Sequence, residues 1–256
     1  MRIFFSILIA LMMSKLAFAV QVEAPAVESG ASPDIRYRCQ VEAQAKLAVG
    51  DLPLKVLEST IASGLPMFVF ISGDGGWNSF DETLCGCLTR QGIPVVVFDA
   101  QKYFWKRRTP EETATDLITV IETYGHIWKR DRFVLAGFSF GASLVPFLVN
   151  RFPAGILSRQ VSAILISPDK RCDFEIHLSD MLNLGLSKGK YDVISEIKRS
   201  SFKNMEAIFG SDENQDIRQL FFKTGIKVEI LQGNHHFDSD SEALADLIVK
   251  RLRSQE

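Results

Sequence analysis

Gly137-Phe138-Ser139-Phe140-Gly141 is the stretch of this chain whose residue types and spacing most clearly serve chemistry. Four apolar residues, Phe133 to Ala136, run into it, and a helix-like segment from Ala142 to Asn150 follows. A buried strand, a sharp turn and a helix form the context in which Gly-x-Ser-x-Gly acts as a nucleophile elbow, with the serine held out in a strained conformation. Gly137 and Gly141 have a steric part in this reading, because a Cβ at either would collide with backbone where the turn is tightest. Alone the pattern is weak; between a β-rich run and a helix it points to Ser139 as a nucleophile.

A serine hydroxyl needs a base within hydrogen-bond reach, and the base needs an acid to orient it. His126 falls within an amphipathic helical pattern and reads as structural, and His177 is open to either reading. His235 and His236 follow the last apolar run, where a base belongs, and Gly233-x-His235 favours His235. The acid should follow the preceding apolar run, Met205 to Phe209. Asp212 is the commoner residue type, Gly-x-x-acid spacing from Gly210 selects Glu213, and Asp216 is an outside candidate. Serine, acid and histidine then occur in the order used by α/β hydrolases. The oxyanion of an acyl-transfer intermediate would meet the N–H of Phe140 and a second N–H, of Asp74 or Gly75, from Ser72-Gly73-Asp74-Gly75-Gly76. That glycine-rich loop lacks Gly-Lys-Ser/Thr, which argues against a nucleotide loop.

The elements that must position these groups alternate. Strands are expected at 55–60, 67–71, 93–98, 133–136, 161–166, 205–209 and 226–231. Helices are expected over 81–90, from Thr109-Pro110-Glu111-Glu112 onward, over 142–150 and over 242–252. Thr109 is a fitting N-cap, Pro110 suits the first helical position and Glu112 completes a capping box. Ala114, Leu117, Ile118, Ile121 and Tyr124 recur at helical spacing. The pattern implies an α/β fold with a mainly parallel sheet covered on both faces, and residues 172–200 as an insertion or lid. Every unusual motif falls just after a strand, at the carboxyl edge where such folds place their sites.

The 256 residues allow one sizeable domain, and 46% hydrophobic and 23% charged residues are ordinary for a globular chain. A net charge of −2 with mixed signs leaves no footprint for nucleic acid. Arg2, the apolar run Ile3 to Met13 and Ala17-Phe18-Ala19 read as a signal peptide cleaved after Ala19. Residues 20–45 then form a tether and 46–256 the domain. Export implies an oxidising, periplasmic setting, in which Cys39, Cys85, Cys87 and Cys172 allow three full pairings. A disulfide involving Cys172 is the preferred expectation; no zinc ligand spacing is present.

Ser72-Gly73-Asp74-Gly75-Gly76-Trp77, Tyr103-Phe104-Trp105 with Arg108-Thr109-Pro110-Glu111, and Gly137 to Ala142 together resemble the AcvB/VirJ family of exported bacterial virulence-associated proteins. Pro146-Phe147, Asn150-Arg151, Asp173 to His177 and Gly233-x-His235-His236-Phe237 continue the resemblance over nearly all of the mature chain, in the short, single-domain form. The resemblance implies an α/β-hydrolase fold and a periplasmic location; the serine mechanism itself needs no metal or organic cofactor. It also implies hydrolysis of the aminoacyl ester of aminoacylated phospholipid, chiefly lysyl-phosphatidylglycerol, and a link to type IV secretion components. Two ammonium charges on a lysyl group call for carboxylates, for which Asp74, Asp173 and Glu175 are candidates. Trp77, Tyr103, Phe104, Trp105, Phe138 and Phe140 could line an apolar pocket or meet the acyl chains. Lys106, Arg107 and Arg108 could meet lipid phosphate or an anionic membrane surface. Ser143 departs from the acidic residue expected there in many members, which bears on substrate preference. Two other readings compete: a broad exported carboxylesterase or peptidase, and a non-catalytic periplasmic assembly or binding factor of a type IV secretion system.

Overall fold

Strands buried on both faces read as unbroken apolar runs, and this chain is built on several of them. The computed structural model describes residue 43, residues 45–176 and residues 189–255; the expected signal peptide, Cys39 and His177 lie outside the described residues. Ala45–Glu256 forms one compact unit. In chain order, β1 is Leu54–Leu57, β2 Met67–Ile71, α1 Ser79–Arg90, β3 Val95–Phe98, α2 Ala100–Tyr103 and α3 Pro110–Trp128. Then follow β4 Phe133–Phe138, α4 Phe140–Val149, α5 Ala154–Leu157, β5 Gln160–Ile166, β6 Arg171–Cys172 and β7 Tyr191–Asp192. The rest is α6 Val193–Arg199, β8 Met205–Gly210, α7 Gln215–Phe222, β9 Lys227–Leu231 and α8 Ser241–Arg253.

The main sheet has the order β1-β3-β2-β4-β5-β8-β9, parallel throughout except for β1, which runs antiparallel to β3. Side chains alternate across a strand. Met67, Val69 and Ile71 therefore join a core with Leu135, Leu165, Phe209, one face of α3 (Leu117, Val120, Ile121) and α4. Phe68 and Phe70 join a second core with Val134, Ile164, Ile208, and the apolar faces of α1 (Leu84, Leu88) and α8 (Leu244, Ile248, Leu252). The capping box at α3 is present: Thr109 Oγ1 accepts from the Glu112 N–H at 3.1 Å, and Glu112 Oε2 accepts from the Thr109 N–H at 2.8 Å.

The feature that positions a site is the reversal of strand order around β2. The chain steps from β2 to β3 on one side, then returns to β4 on the other. Loops leaving the carboxyl ends of β2 and β4 diverge there, and ligands bind at such switch points in open α/β sheets.

The described residues of the insertion after β5 form the small β6–β7 pair and α6. Glu196 of α6 accepts from Asn150 Nδ2 at 3.0 Å and pairs with Arg151 at 3.3 Å, tying the insertion to the end of α4. The expected disulfide at Cys172 is not formed. Cys172 is a buried free thiol, its Sγ 3.6 Å from the Ser143 carbonyl oxygen, and Cys85 and Cys87 are free as well. Among the described residues no helix is long and apolar enough to cross a membrane.

One buried carboxyl gives a stability prediction. Asp81, in the first turn of α1, is fully buried, and its Oδ1 has no hydrogen-bond partner. Burial, aided by the nearby charge of Asp99, pushes its pKa from 3.8 up to about 7. Between those values the folded chain holds a proton that the unfolded chain has released. This residue's contribution to stability is therefore full below about pH 4 and is lost as pH rises through about 7. Asp81→Asn is expected to raise Tm by several degrees at pH 8 relative to wild type, and by much less at pH 5, measured by calorimetry.

Candidate active site

Ser139 sits at the turn between β4 and α4 with φ 52° and ψ −113°, a left-handed conformation costly for a residue with a Cβ. Its N–H donates to the Ile166 carbonyl at 2.8 Å, so the elbow is pinned by β5 before the chain turns. The flanking glycines have no room for a side chain. A Cβ at Gly137 would lie 2.4 Å from the Gly141 carbonyl carbon, and one at Gly141 would lie 2.3 Å from the Ile71 carbonyl oxygen. Gly141→Ala should cost on the order of 3 kcal/mol, because the obstruction is backbone that cannot move aside. Gly75→Ala meets nothing within 4 Å and should be neutral. Paired urea melts of the two variants check this contrast.

His235 lies in the loop after β9, and its Nε2 is 2.9 Å from Ser139 Oγ. Its Nδ1 is 3.0 Å from Glu213 Oε2. An ionised carboxylate only accepts, so this contact keeps the ring proton on Nδ1 and leaves Nε2 to accept the serine hydroxyl. The Glu213 side chain is 12% exposed, whereas the His235 side chain is 43% exposed, which leaves the base open to a ligand. The loops carrying acid and base are laced together. Ser211 N–H donates to the Leu231 carbonyl at 2.7 Å, Asp212 N–H to the Gly233 carbonyl at 3.0 Å, and Gly233 N–H to Ser211 Oγ at 3.1 Å.

Of the two carboxylates that the sequence left open, Glu213, the one selected by the spacing, faces the imidazole. Asp212 is exposed, and its Oδ1 accepts from Ser211 Oγ at 2.8 Å; Asp216 lies in the first turn of α7. His236 packs edge-on against Phe80 at 5.5 Å between ring centroids. Desolvation, aided by neighbouring His235, lowers its pKa.

The loop after β2 is held by Ser72, whose Oγ accepts from the Ala100 N–H at 2.9 Å, and by a turn in which Gly76 N–H donates to the Gly73 carbonyl at 3.0 Å. A Cβ at Gly73 would stand 3.3 Å from Phe138 Cδ1 and 3.7 Å from Ser139 Cβ, and one at Gly76, where φ is 70°, would stand 3.0 Å from Asp99 Oδ1 and Gln101 Cβ. Asp74 follows Gly73 and lines a cavity of about 860 Å³ together with Ser139, Phe140 and His235. Gly75 is exposed and does not line the cavity. Phe140 opens α4, so its N–H has no intrahelical acceptor and points with the helix dipole.

Asp173 and Glu175 also line the cavity, with Asp169, Lys170 and Arg171 beside them. Asp173 Oδ1 accepts from the Lys190 N–H at 2.8 Å, and Glu175 pairs with Arg107 at 2.8 Å. Two of the expected substrate residues lie outside this cavity. Trp105 is 54% exposed and Trp77 packs on the second core, and neither lines the cavity. Tyr103, Phe104 and Phe138 are core residues, so Phe140 is the aromatic of that group at the cavity wall. Ser143 lines the cavity but is buried: its Oγ donates to the Ser139 carbonyl at 3.1 Å and accepts from the Asp169 N–H at 2.9 Å.

Sequence reasoning missed Ser167, which follows β5 and touches Glu213. The signal was its position at a strand's carboxyl end beside the elbow strand, the same rule that located the other loops. Among the described residues no cluster of His, Cys, Asp or Glu has metal-binding geometry.

A family model described as bacterial virulence protein (VirJ) matches residues 66–256. The chain belongs to the VirJ family. A comparison with the curated proteins gives no match. Among solved structures it is similar to MenH from S. aureus, with TM-score 0.59 and 12% identity over 79% of this chain and 98% of that one. It is likewise similar to the enol-lactonase from Burkholderia xenovorans LB400, with TM-score 0.58 and 14% identity over 79% and 96%. Est1E from Butyrivibrio proteoclasticus gives TM-score 0.56 and 11% identity over 79% and 92%. At these identities the likeness concerns the fold alone, and that fold is the α/β-hydrolase fold, as in this VirJ-family chain.

Proposed function

We propose that this VirJ-family chain is a serine hydrolase that cleaves the aminoacyl ester of an aminoacylated phospholipid of the lysyl-phosphatidylglycerol type. The observation that carries the hydrolase reading is the continuous relay from Ser139 Oγ through His235 to Glu213, with contacts of 2.9 and 3.0 Å. His235 Nε2 takes the hydroxyl proton as Ser139 Oγ attacks the ester carbonyl, and Glu213 stabilises the imidazolium. The oxyanion falls to the N–H groups of Phe140 and Asp74. Collapse breaks the bond to the glycerol oxygen, which receives the proton from His235 and departs as phosphatidylglycerol. Water, deprotonated by His235, then attacks the acyl-enzyme, and the free amino acid and Ser139 are regenerated.

The substrate class is supported by the family and by the cavity wall, where Asp74, Asp169, Asp173 and Glu175 outnumber Lys170 and Arg171. Such a wall suits an acyl group bearing ammonium charges. Exposed Trp105 beside Lys106 and Arg107 suits contact with an anionic membrane surface. Export to the periplasm, cleavage after Ala19 and work beside type IV secretion components belong to the same proposal.

The deciding experiment incubates the purified protein with lysyl-phosphatidylglycerol vesicles, plain phosphatidylglycerol vesicles and a short-chain uncharged ester, with release of lysine and fatty acid followed. Lysine release is the expected result. Turnover of the uncharged ester alone would favour a broad carboxylesterase, and turnover of none would favour a binding or assembly factor.

A further inference from the structure

We propose that Ser167 is a positioning residue that holds the Glu213 carboxylate in register with His235. The inference rests on the hydrolase reading above and deepens it. A glutamate has one more side-chain torsion than an aspartate, so an acid of this length reaches the imidazole in a fixed pose only if its other oxygen is held. Glu213 Oε1 accepts two hydrogen bonds, from Ser167 Oγ at 2.8 Å and from the Gly210 N–H at 2.7 Å. With Oε1 clamped, Oε2 is the oxygen turned to His235 Nδ1, at 3.0 Å.

Ser167 itself is fixed. It is 2% exposed, and its N–H donates to the Ile208 carbonyl at 2.7 Å. Its Oγ also lies 3.2 Å from the His235 carbonyl oxygen. The hydroxyl has one proton, and the shorter contact with a charged acceptor is the stronger. One side chain at the end of β5 therefore touches both the loop that carries the acid and the loop that carries the base.

Its backbone adds a second line of reasoning. Ser167 has φ 52°, in the left-handed region where glycine would be free of steric cost. Serine offers nothing over glycine at such a position except its hydroxymethyl group, and that group is the one on Glu213.

The test uses Ser167→Ala and Ser167→Gly, each alone and combined with Glu213→Ala. Glycine keeps the backbone relaxed, so a loss it shares with alanine belongs to the hydroxyl. Each single variant is expected to lower kcat about 10-fold with KM within about twofold, and to change kcat less than twofold when Glu213 is already alanine. An undiminished kcat in both single variants would overturn the proposal, and so would an equal loss with and without the Glu213 carboxylate. The His235 Nδ1–H resonance, followed by NMR, gives a reading independent of turnover. It should move or broaden in both Ser167 variants; an unchanged resonance in both refutes the positioning role. If wild type hydrolyses no ester while this resonance responds, the hydrolase reading fails and the positioning stands.

Discussion

Ser139→Ala is expected to lower kcat/KM for ester hydrolysis by about 10⁴ or more, leaving only the residual rate that binding and oxyanion stabilisation supply. The hydroxyl stands 2.9 Å from an imidazole nitrogen whose partner nitrogen is tied to a carboxylate, so the proton leaving oxygen has an acceptor already aligned. A fluorophosphonate probe should add one adduct mass to wild type and none to the variant. A companion variant separates chemistry from strain. Ser139→Gly removes the same hydroxyl but adopts φ 52° at little cost, so it should melt higher than Ser139→Ala by a few degrees while being equally inactive. Full labelling of the alanine variant would move the nucleophile elsewhere.

Glu213→Gln is expected to lower kcat by about 10³ to 10⁴, whereas Asp212→Asn should stay within about twofold of wild type. An amide at position 213 can donate to Nδ1, which favours the tautomer with its proton on Nε2 and leaves the serine without an acceptor. The two clamps on Oε1 hold the amide in the same pose, so the loss reflects tautomer and charge rather than collapse of the loop. Asp212, one residue earlier, points to Ser211 and solvent. A large loss at Asp212 with none at Glu213 would sink the proposed relay. Steady-state kinetics on the lysyl lipid and on a short ester would read both variants.

Much of this arrangement was legible before any coordinates, for physical reasons. Met67–Ile71 declared itself because a parallel strand buried on both faces must be apolar at every position. The start of α3 was readable because Thr109 and Glu112 satisfy each other's backbone donors locally. The choice of acid was less accessible. Gly-x-x-acid spacing pointed to Glu213, and the basis of that spacing is now visible in the Gly210 N–H reaching back to the carboxylate. Residue-type preference pulled the other way. Helix α7 left little trace because, over eight residues, only Phe221 is buried. The positions of Trp77 and Trp105 outside this cavity were not legible, because aromatic character says nothing about which side of a loop a ring occupies. Ser167 went unremarked because one serine after one strand has no period to betray it, and its meaning lies in contacts 46 and 68 residues away.

The proposed base, His235, is carried by the loop following β9, the last strand among the described residues and the outermost on its side of the sheet. Its bond to the nucleophile spans 96 positions. A chain emerging from its amino end would complete the elbow long before it completed the relay. Under the proposed mechanism, Ser139 therefore lacks its proton acceptor until the segment after β9 has seated.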